Sequence, residues 1–225
     1  MKRSLLIVLL VLIFDQSLKF WIKTTMYLGQ EFAVFGNWFI IHFTENNGMA
    51  FGLEFAGEYG KLFLSLFRIA AVAGIGWYLF KISASGENPK FALALSFIFA
   101  GALGNIIDSI FYGVIFSSSD YQLAQFLPAE GGYASLLHGK VVDMLYFPVI
   151  HTTFPNWVPF WGGDSFEFFR PVFNLADASI SVGVGIIILF QSEIFKDKNA
   201  RQNTGSAQGN ESGNDSASVE VNAPL

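Results

Sequence analysis

Residues 91–111 read FALALSFIFAGALGNIIDSIF, and this stretch is the clearest indication of the fold class. It is apolar over most of its length and matches the roughly 20 residues that an α-helix needs to cross the hydrocarbon core of a bilayer. Near its end, however, it carries Asn105 and Asp108. Polar and ionisable side chains are costly inside a membrane and usually serve a function there. The stretch therefore predicts a membrane-spanning helix that carries part of a functional site.

Three further apolar stretches of similar length lie at residues 5–21, 62–79 and 172–190. Hydrophobic residues make up 52% of the 225-residue chain and charged residues only 14%, whereas soluble domains have about 25% charged residues. We expect an all-α membrane protein with four transmembrane helices. A cleaved signal peptide is the alternative for the first stretch, but no small-residue cleavage site follows it and apolar residues resume at Leu18.

Basic residues set the predicted orientation, because cytoplasmic segments carry an excess of Lys and Arg. This pattern predicts that both termini are cytoplasmic and that two long loops lie outside. The basic residues on the cytoplasmic side are Lys2, Arg3, Lys81, Lys90, Lys196, Lys198 and Arg201. Those on the outer side are Lys23, Lys61, Lys140 and Arg170.

The loops and the C-terminal region differ in character. The first outer loop, residues 23–60, includes FIIHF at 39–43, which is typical of a strand and predicts a small β-rich platform on the membrane surface. The second outer loop, residues 112–171, is longer and rich in proline and aromatic residues. Residues 196–225 are nearly all small or polar and cannot bury enough apolar surface to fold. We therefore divide the chain into a four-span domain, 1–195, and a disordered cytoplasmic tail, 196–225.

Charged residues inside the predicted spans point to one leaflet. On the predicted topology, Asp15, Asp108 and Asp177 all lie within about two helical turns of the outer surface. Lys19 stands four residues after Asp15, which is the spacing of a helical ion pair. Arg68 is interpreted as a counter-charge for a carboxylate or as a side chain that snorkels outward. Three carboxylates in one leaflet indicate a shared site.

The surroundings of Asp177 and Asp143 are also informative. Asn174 precedes Asp177 by three residues, which predicts that both side chains project from one helix face. Asp143 lies in the apolar segment 140–147, which predicts that it is held near the membrane surface. For Asp108, a polar anchor at the helix end is the alternative interpretation.

Five sequence blocks together resemble the bacterial prolipoprotein signal peptidases, also called the signal peptidase II family. They are DQSLK at 15–19, NNGMAF at 46–51, GALGNIID at 101–108, VVD at 141–143 and FNLAD at 173–177. The resemblance covers about residues 5–195. It implies an intramembrane aspartyl endopeptidase that removes signal peptides from prolipoproteins carrying a diacylglyceryl-modified cysteine and cleaves just before that cysteine.

The resemblance also implies roles for single residues, with Asp143 and Asp177 as the catalytic pair. It implies neither a cofactor nor a metal, and its partners are the lipid-modified prolipoprotein and membrane lipids. We expect a monomer in the bacterial inner membrane, with the active site near the outer leaflet. The residues expected to support the site or bind substrate are Asp15, Lys19, Asn46, Gly48, Asn105, Asp108 and Asn174.

Two departures from the family pattern stand out. Ser109 occupies the position where the family usually has an arginine directly after the G-N-x-x-D block, and Arg170 and Lys140 are candidates to replace it. The segment between Asp108 and Asp143 is also longer than in compact members, with an insertion at residues 117–133.

Two carboxyl groups suit peptide hydrolysis, because like charges at hydrogen-bond distance cannot both ionise and therefore share one proton. Two other functions stay open at this point. A small proton or cation transporter predicts carboxylates spread across the bilayer depth, and an assembly subunit predicts that Asp→Asn changes impair stability rather than turnover. The three histidines show no H-E-x-x-H spacing, which disfavours a zinc protease. The net charge of -5 disfavours a nucleic-acid partner.

Overall fold

The computed structural model of the protein describes residues 1–48, 57–86, 88–148, 150–153, 155–168 and 171–194. Within these ranges the helices are α1 (Lys2–Thr25), α2 (Gly57–Ser85), α3 (Pro89–Ile107), α4 (Gly113–Ile115) and α5 (Leu175–Leu189), and a π-helical turn, Asp108–Tyr112, joins α3 to α4. The strands are β1 (Glu31–Phe35), β2 (Phe39–Asn46), β3 (Val141–Tyr146), β4 (Ile150–Thr153), β5 (Ser165–Phe168) and β6 (Val172–Phe173). Arg170, the end of the NNGMAF block (residues 49–51) and the predicted tail, 196–225, lie outside the described residues.

Three helices in the described part of the chain are long and apolar enough to cross a membrane: Lys2–Thr25, Tyr59–Ser85 and Pro89–Ile115. The last helix, α5, has 15 residues, or about 22 Å at ~1.5 Å per residue. The sequence placed the start of this span at Val172. In the structure, Val172–Phe173 pairs with the sheet as β6, and the helix begins only at Leu175 because Asn174 caps it.

Helix α3 lies at the centre and packs against α1, α2 and α5. It packs tightly against α5 at Gly101, where an added Cβ would overlap the carbonyl oxygen of Ala176. At Gly104 an added Cβ would lie 2.8 Å from Asp15 Oδ2. Small residues at crossings of membrane helices let the backbones approach closely. The glycines of the 101–108 block therefore bring the polar end of α3 against the start of α5.

The main sheet is antiparallel, with the strand order β1-β2-β3-β6. The strand predicted in the first outer loop is part of this sheet as β2, but β3 comes from the second outer loop and β6 from the start of the stretch predicted as the fourth span. Strand β3 is buried over its first four residues, so it lacks the alternating pattern that makes a half-exposed strand readable in sequence. A separate two-stranded sheet joins β4 to β5.

The insertion at residues 117–133 is fastened to α1 and β2 by buried polar groups. Lys23 Nζ donates to Ser119 Oγ at 2.9 Å and forms an ion pair with Glu45. Ser119 Oγ also contacts Glu45 Oε1 at 3.0 Å. Lys140 Nζ lies 3.3 Å from the other oxygen of Glu45. The insertion therefore contacts both the C-terminal end of α1 and strand β2, and it holds the two together.

We predict that Gly101→Ala destabilises the protein by about 1–3 kcal/mol, because the new methyl group forces α3 away from α5. Thermal unfolding of the purified protein in detergent measures the effect. Gly74→Ala and Gly185→Ala are matched controls, since a Cβ at either position meets nothing within 4 Å. Equal unfolding temperatures for all three variants would contradict the close helix contact.

Candidate active site

The site begins at the N-terminus of α5, where Asn174 and Asp177 cap the helix reciprocally. The backbone N–H of Asp177 donates to Asn174 Oδ1 at 2.9 Å, and the backbone N–H of Asn174 donates to Asp177 Oδ2 at 3.3 Å. This capping box satisfies donors that the first helical turn leaves unpaired. The sequence predicted that both side chains project from one helix face. Instead Asn174 precedes the helix in extended conformation, and the cap brings the two side chains together.

Asp143 reaches the same point from the sheet. It lies on β3, paired in register with Thr44 of β2, and its side chain accepts a hydrogen bond of 2.7 Å from Asn174 Nδ2. Because β6 pairs with β3 and leads directly into α5, the sheet fixes Asp143 beside the helix cap. Asp143 is 4% exposed.

Asn105, near the end of α3, completes the link between the two carboxyl groups. Its Nδ2 donates to Asp177 Oδ1 at 2.8 Å, and its Oδ1 accepts from Asn174 Nδ2 at 3.0 Å. The Asn174 amide therefore contacts Asp143, and the Asn105 amide contacts Asp177. Amide groups stabilise carboxylates by donating hydrogen bonds without adding a charge of their own.

The orientation of the Asn105 amide is set by Lys19, which is fully buried in α1. Lys19 Nζ donates to Asn105 Oδ1 at 3.0 Å, and it lies 3.0 Å from Asp15 Oδ2 and 2.8 Å from Asp108 Oδ2. These contacts use the three N–H donors of the ammonium group. Because Lys19 occupies the oxygen of Asn105, the amide nitrogen is turned towards Asp177.

Asp15 and Asp108 also tie the surrounding backbone together. Asp15 Oδ1 accepts from the backbone N–H of Ala176 at 2.9 Å, at the start of α5. Asp108 Oδ2 accepts from the backbone N–H of Val142 at 3.3 Å, next to Asp143. Gln16, which the sequence analysis did not single out, donates to Asp108 Oδ1 at 2.9 Å. Its position directly after Asp15, inside an apolar span, was the signal that marks it.

The polar groups border a cavity of about 310 Å³. Asn46 and Gly48 close one side of it, and Asn46 also hydrogen-bonds Asp143. Arg68, which was interpreted from the sequence as a counter-charge for a carboxylate or a snorkelling side chain, reaches the cavity from α2. The polar lining is Asn46, Gly48, Arg68, Asn105, Asp143 and Asp177, and the apolar wall includes Val72, Ile75, Ala102, Ile106 and Ile180.

The structure describes one of the two residues predicted to replace the missing family arginine. Lys140 pairs with Glu45, and Arg170 lies outside the described residues. Ser109 itself is buried and donates to the backbone carbonyl of Asn105 at 3.0 Å. Within the described ranges, no group of three or more His, Asp or Glu side chains is placed to hold a metal ion.

Burial, reinforced by the nearby charge of Asp177, raises the pKa of Asp143 from its ordinary 3.8 to about 7, against the opposing hydrogen bonds from Asn174 and Asn46. Near neutral pH, therefore, Asp143 holds a proton part of the time beside a second carboxyl group. One proton donor and one proton acceptor in the same cavity are the requirements of acid–base hydrolysis.

Comparisons with known proteins agree on one class. A solved bacterial membrane enzyme superimposes with a TM-score of 0.56 and 26% sequence identity, covering 99% of this chain and 96% of that one. The arrangement of apolar helices with a small antiparallel sheet is thus shared with a solved membrane enzyme. A sequence model of the protein family described as signal peptidase (SPase) II matches residues 7–192.

Curated relatives narrow the class. The lipoprotein signal peptidase of Porphyromonas gingivalis is 53% identical over 184 residues, 81% of this chain and 80% of its own. That of Amoebophilus asiaticus is 39% identical over 186 residues, 81% of this chain and 75% of its own. The chain belongs to the signal peptidase II family, a family of proteases, which confirms the resemblance drawn from the five sequence blocks.

We predict that Lys19→Met destabilises the protein by about 3–5 kcal/mol, because it leaves two buried carboxylates without their cation. Lys90→Met is the matched control. Lys90 forms an exposed ion pair with Glu193, and exposed pairs contribute about 0–1 kcal/mol. Chemical unfolding in detergent measures both losses of stability, and similar losses would contradict the buried cluster.

A second prediction concerns pH. A carboxyl group whose pKa is higher in the folded protein than in the unfolded chain binds its proton more tightly in the folded state. The folded protein therefore loses stability as pH rises from about 4 to about 7. Asp143→Asn removes this loss. We therefore expect the unfolding temperature of the variant, relative to wild type, to be higher at pH ~8 than at pH ~5. A constant difference across this range would show that the pKa of Asp143 is not raised.

Proposed function

We propose that this protein is an intramembrane aspartyl endopeptidase that removes signal peptides from diacylglyceryl-cysteine prolipoproteins, with Asp143 and Asp177 as its catalytic residues. Membership of the family supports the lipoprotein signal peptidase activity. The catalytic roles of Asp143 and Asp177 are our proposal. The observation that carries them is the pair of amide bridges, Asn174 to Asp143 and Asn105 to Asp177, which hold two acids at one cavity.

The reaction follows from one proton shared by two carboxyl groups. The ionised carboxylate takes a proton from a water molecule while the water oxygen attacks the scissile carbonyl carbon. The protonated carboxyl donates a hydrogen bond to the carbonyl oxygen as negative charge develops there. When the C–N bond breaks, the leaving amine takes a proton from the pair, which returns to its starting state. The two groups act as one unit, so the proton is not assigned to a single aspartate.

The cavity suits a substrate that is partly apolar. Its polar end holds the two acids, and its wall is formed by apolar side chains of α2, α3 and α5, such as Val72, Ala102 and Ile180. A signal-peptide helix in the bilayer and the lipid on its cysteine would contact the polar end and the apolar wall of the cavity at the same time. We also infer that the first outer loop, residues 23–60, helps to clamp the substrate.

The same reasoning extends to placement in the membrane. The proposal puts the site near the outer leaflet of the bacterial inner membrane, with both termini in the cytoplasm and α5 as a fourth span. Support comes from the chain order, because the C-terminal ends of α1 and α3 and the N-terminal end of α5 meet at the site. We propose further that residues 1–195 form the catalytic unit, that 196–225 are a disordered tail, and that the enzyme acts as a monomer without a metal.

The two competing functions receive less support. A transporter predicts acids spread across the bilayer depth, whereas Asp15, Asp108 and Asp177 all converge on Lys19 or on its partner Asn105. An assembly subunit does not account for membership in a protease family. The sequence patterns that left these alternatives open are therefore better explained by a peptidase.

We predict that Asp143→Asn and Asp177→Asn each lower the rate of cleavage by at least ~10²–10⁴-fold, because each removes an acid–base group. The assay uses purified protein and a synthetic signal peptide with a diacylglyceryl cysteine. Asp164→Asn is the matched control, since Asp164 is exposed in the β4–β5 loop. Near wild-type cleavage by either site variant, with unchanged thermal stability, would reassign that aspartate to a structural role.

A further inference from the structure

The catalytic cavity contains a guanidinium group that none of the five sequence blocks supplies. Arg68 lies midway along α2, is half-buried and lines the cavity together with Asp143 and Asp177. Its charge attracts the carboxylate of Asp177. Its Nη2 donates a hydrogen bond of 2.6 Å to the backbone carbonyl of Gly48. A single side chain therefore connects α2, the first outer loop and the site of the reaction.

The turn that Arg68 holds has little freedom. Gly48 adopts a φ of 70°, a left-handed conformation that favours glycine. Its backbone N–H donates to Asn46 Oδ1 at 2.7 Å on one side, while its carbonyl accepts from Arg68 on the other. A Cβ on Gly48 would overlap the guanidinium. The hydrogen bonds from Gly48 to Asn46 and from Arg68 to Gly48 thus hold the turn at residues 46–48 beside the cavity.

Arg68 also has donors beyond the one that Gly48 uses. A guanidinium carries five N–H groups in a rigid planar fork and stays protonated across the working pH range. In the described part of the chain, one of them is directed at Gly48. A peptide bound in the cavity brings main-chain carbonyl oxygens, which are uncharged acceptors. A fixed cation beside the two acids suits the binding of such an oxygen without taking part in the proton transfer.

We propose that Arg68 is a substrate-binding residue: it holds the turn at residues 46–48 over the cavity and donates a hydrogen bond to a main-chain carbonyl of the bound prolipoprotein next to the scissile bond. This inference rests on the proposed peptidase function. It also accounts for Ser109, which stands where the family usually has arginine. The side chain of Ser109 is turned back onto the carbonyl of Asn105, so the cation reaches the site from α2 instead.

The test compares Arg68→Gln, Arg68→Lys and Lys81→Gln in the purified full-length protein. Lys81→Gln is the matched control because it removes a cation from the same helix. Lys81 lies near Trp77 and does not line the cavity. We expect Arg68→Gln to raise KM for the diacylglyceryl-cysteine peptide by about 10- to 100-fold, the loss of a hydrogen bond to a charged group. We expect kcat to change by less than KM. Arg68→Lys should recover part of the loss, and Lys81→Gln should match wild type.

An unchanged KM in Arg68→Gln would overturn the proposal. If the pH profile shifts while KM stays unchanged, Arg68 is only a counter-charge for Asp177. If Arg68→Gln does not fold, the KM of Arg68→Lys decides instead, because a compact ammonium keeps the charge but not the planar fork.

Direct binding separates this proposal from the proposed function. The Kd of a fluorescent form of the same peptide is measured for wild type, Arg68→Gln and Lys81→Gln. A wild type that binds but does not cleave contradicts the peptidase reaction. In that case the Kd of Arg68→Gln still decides the role of Arg68, with weaker binding supporting it and equal binding overturning it.

Discussion

The buried ammonium group of Lys19 is the contact on which the rest of the site depends. Removing a charge from water costs several kcal/mol unless partners compensate it, and here Asp15, Asp108 and Asn105 all do so. The ion cluster joins α1 to the end of α3. Because it also occupies the oxygen of Asn105, it directs the neutral amide at Asp177. A charge behind the cavity thereby positions a carboxyl group inside it.

Structural and chemical roles overlap throughout this region. The residues that cap α5 are Asn174 and Asp177, so a device for starting a helix also presents one acid of the pair. Asp15 accepts from the backbone of Ala176 in the first turn of that helix and pairs with Lys19 at the same time. Changes at these positions therefore alter stability and geometry together. Thermal stability has to be measured beside turnover for any variant of the cluster.

Much of this site was readable in the sequence, because polar residues stand out in apolar spans. Asp15, Lys19, Asp108 and Asp177 were found in this way. The apolar segment around Asp143 and the spacing of Asn174 from Asp177 indicated two more, and the sequence blocks added Asn105. Other features depend on tertiary contacts that have no local pattern. The role of Asn174 as a cap, the place of β3 and β6 in the sheet, and the reach of Arg68 from α2 into the cavity all arise from the packing of distant segments.

The proposed sharing of one proton by Asp143 and Asp177 near neutral pH can be measured by an infrared titration of the protein in lipid nanodiscs. The carboxyl stretching band reports protonated acids as pH is raised. We expect a band that disappears with an apparent pKa of about 7 and is missing in Asp143→Asn, read as the difference between the two titrations because other buried carboxyl groups add bands of their own. Removing the neighbouring charge in Asp177→Asn should lower that pKa. A titration near neutral pH that Asp143→Asn leaves unchanged, or no carboxyl titrating near neutral pH, would contradict the shared proton.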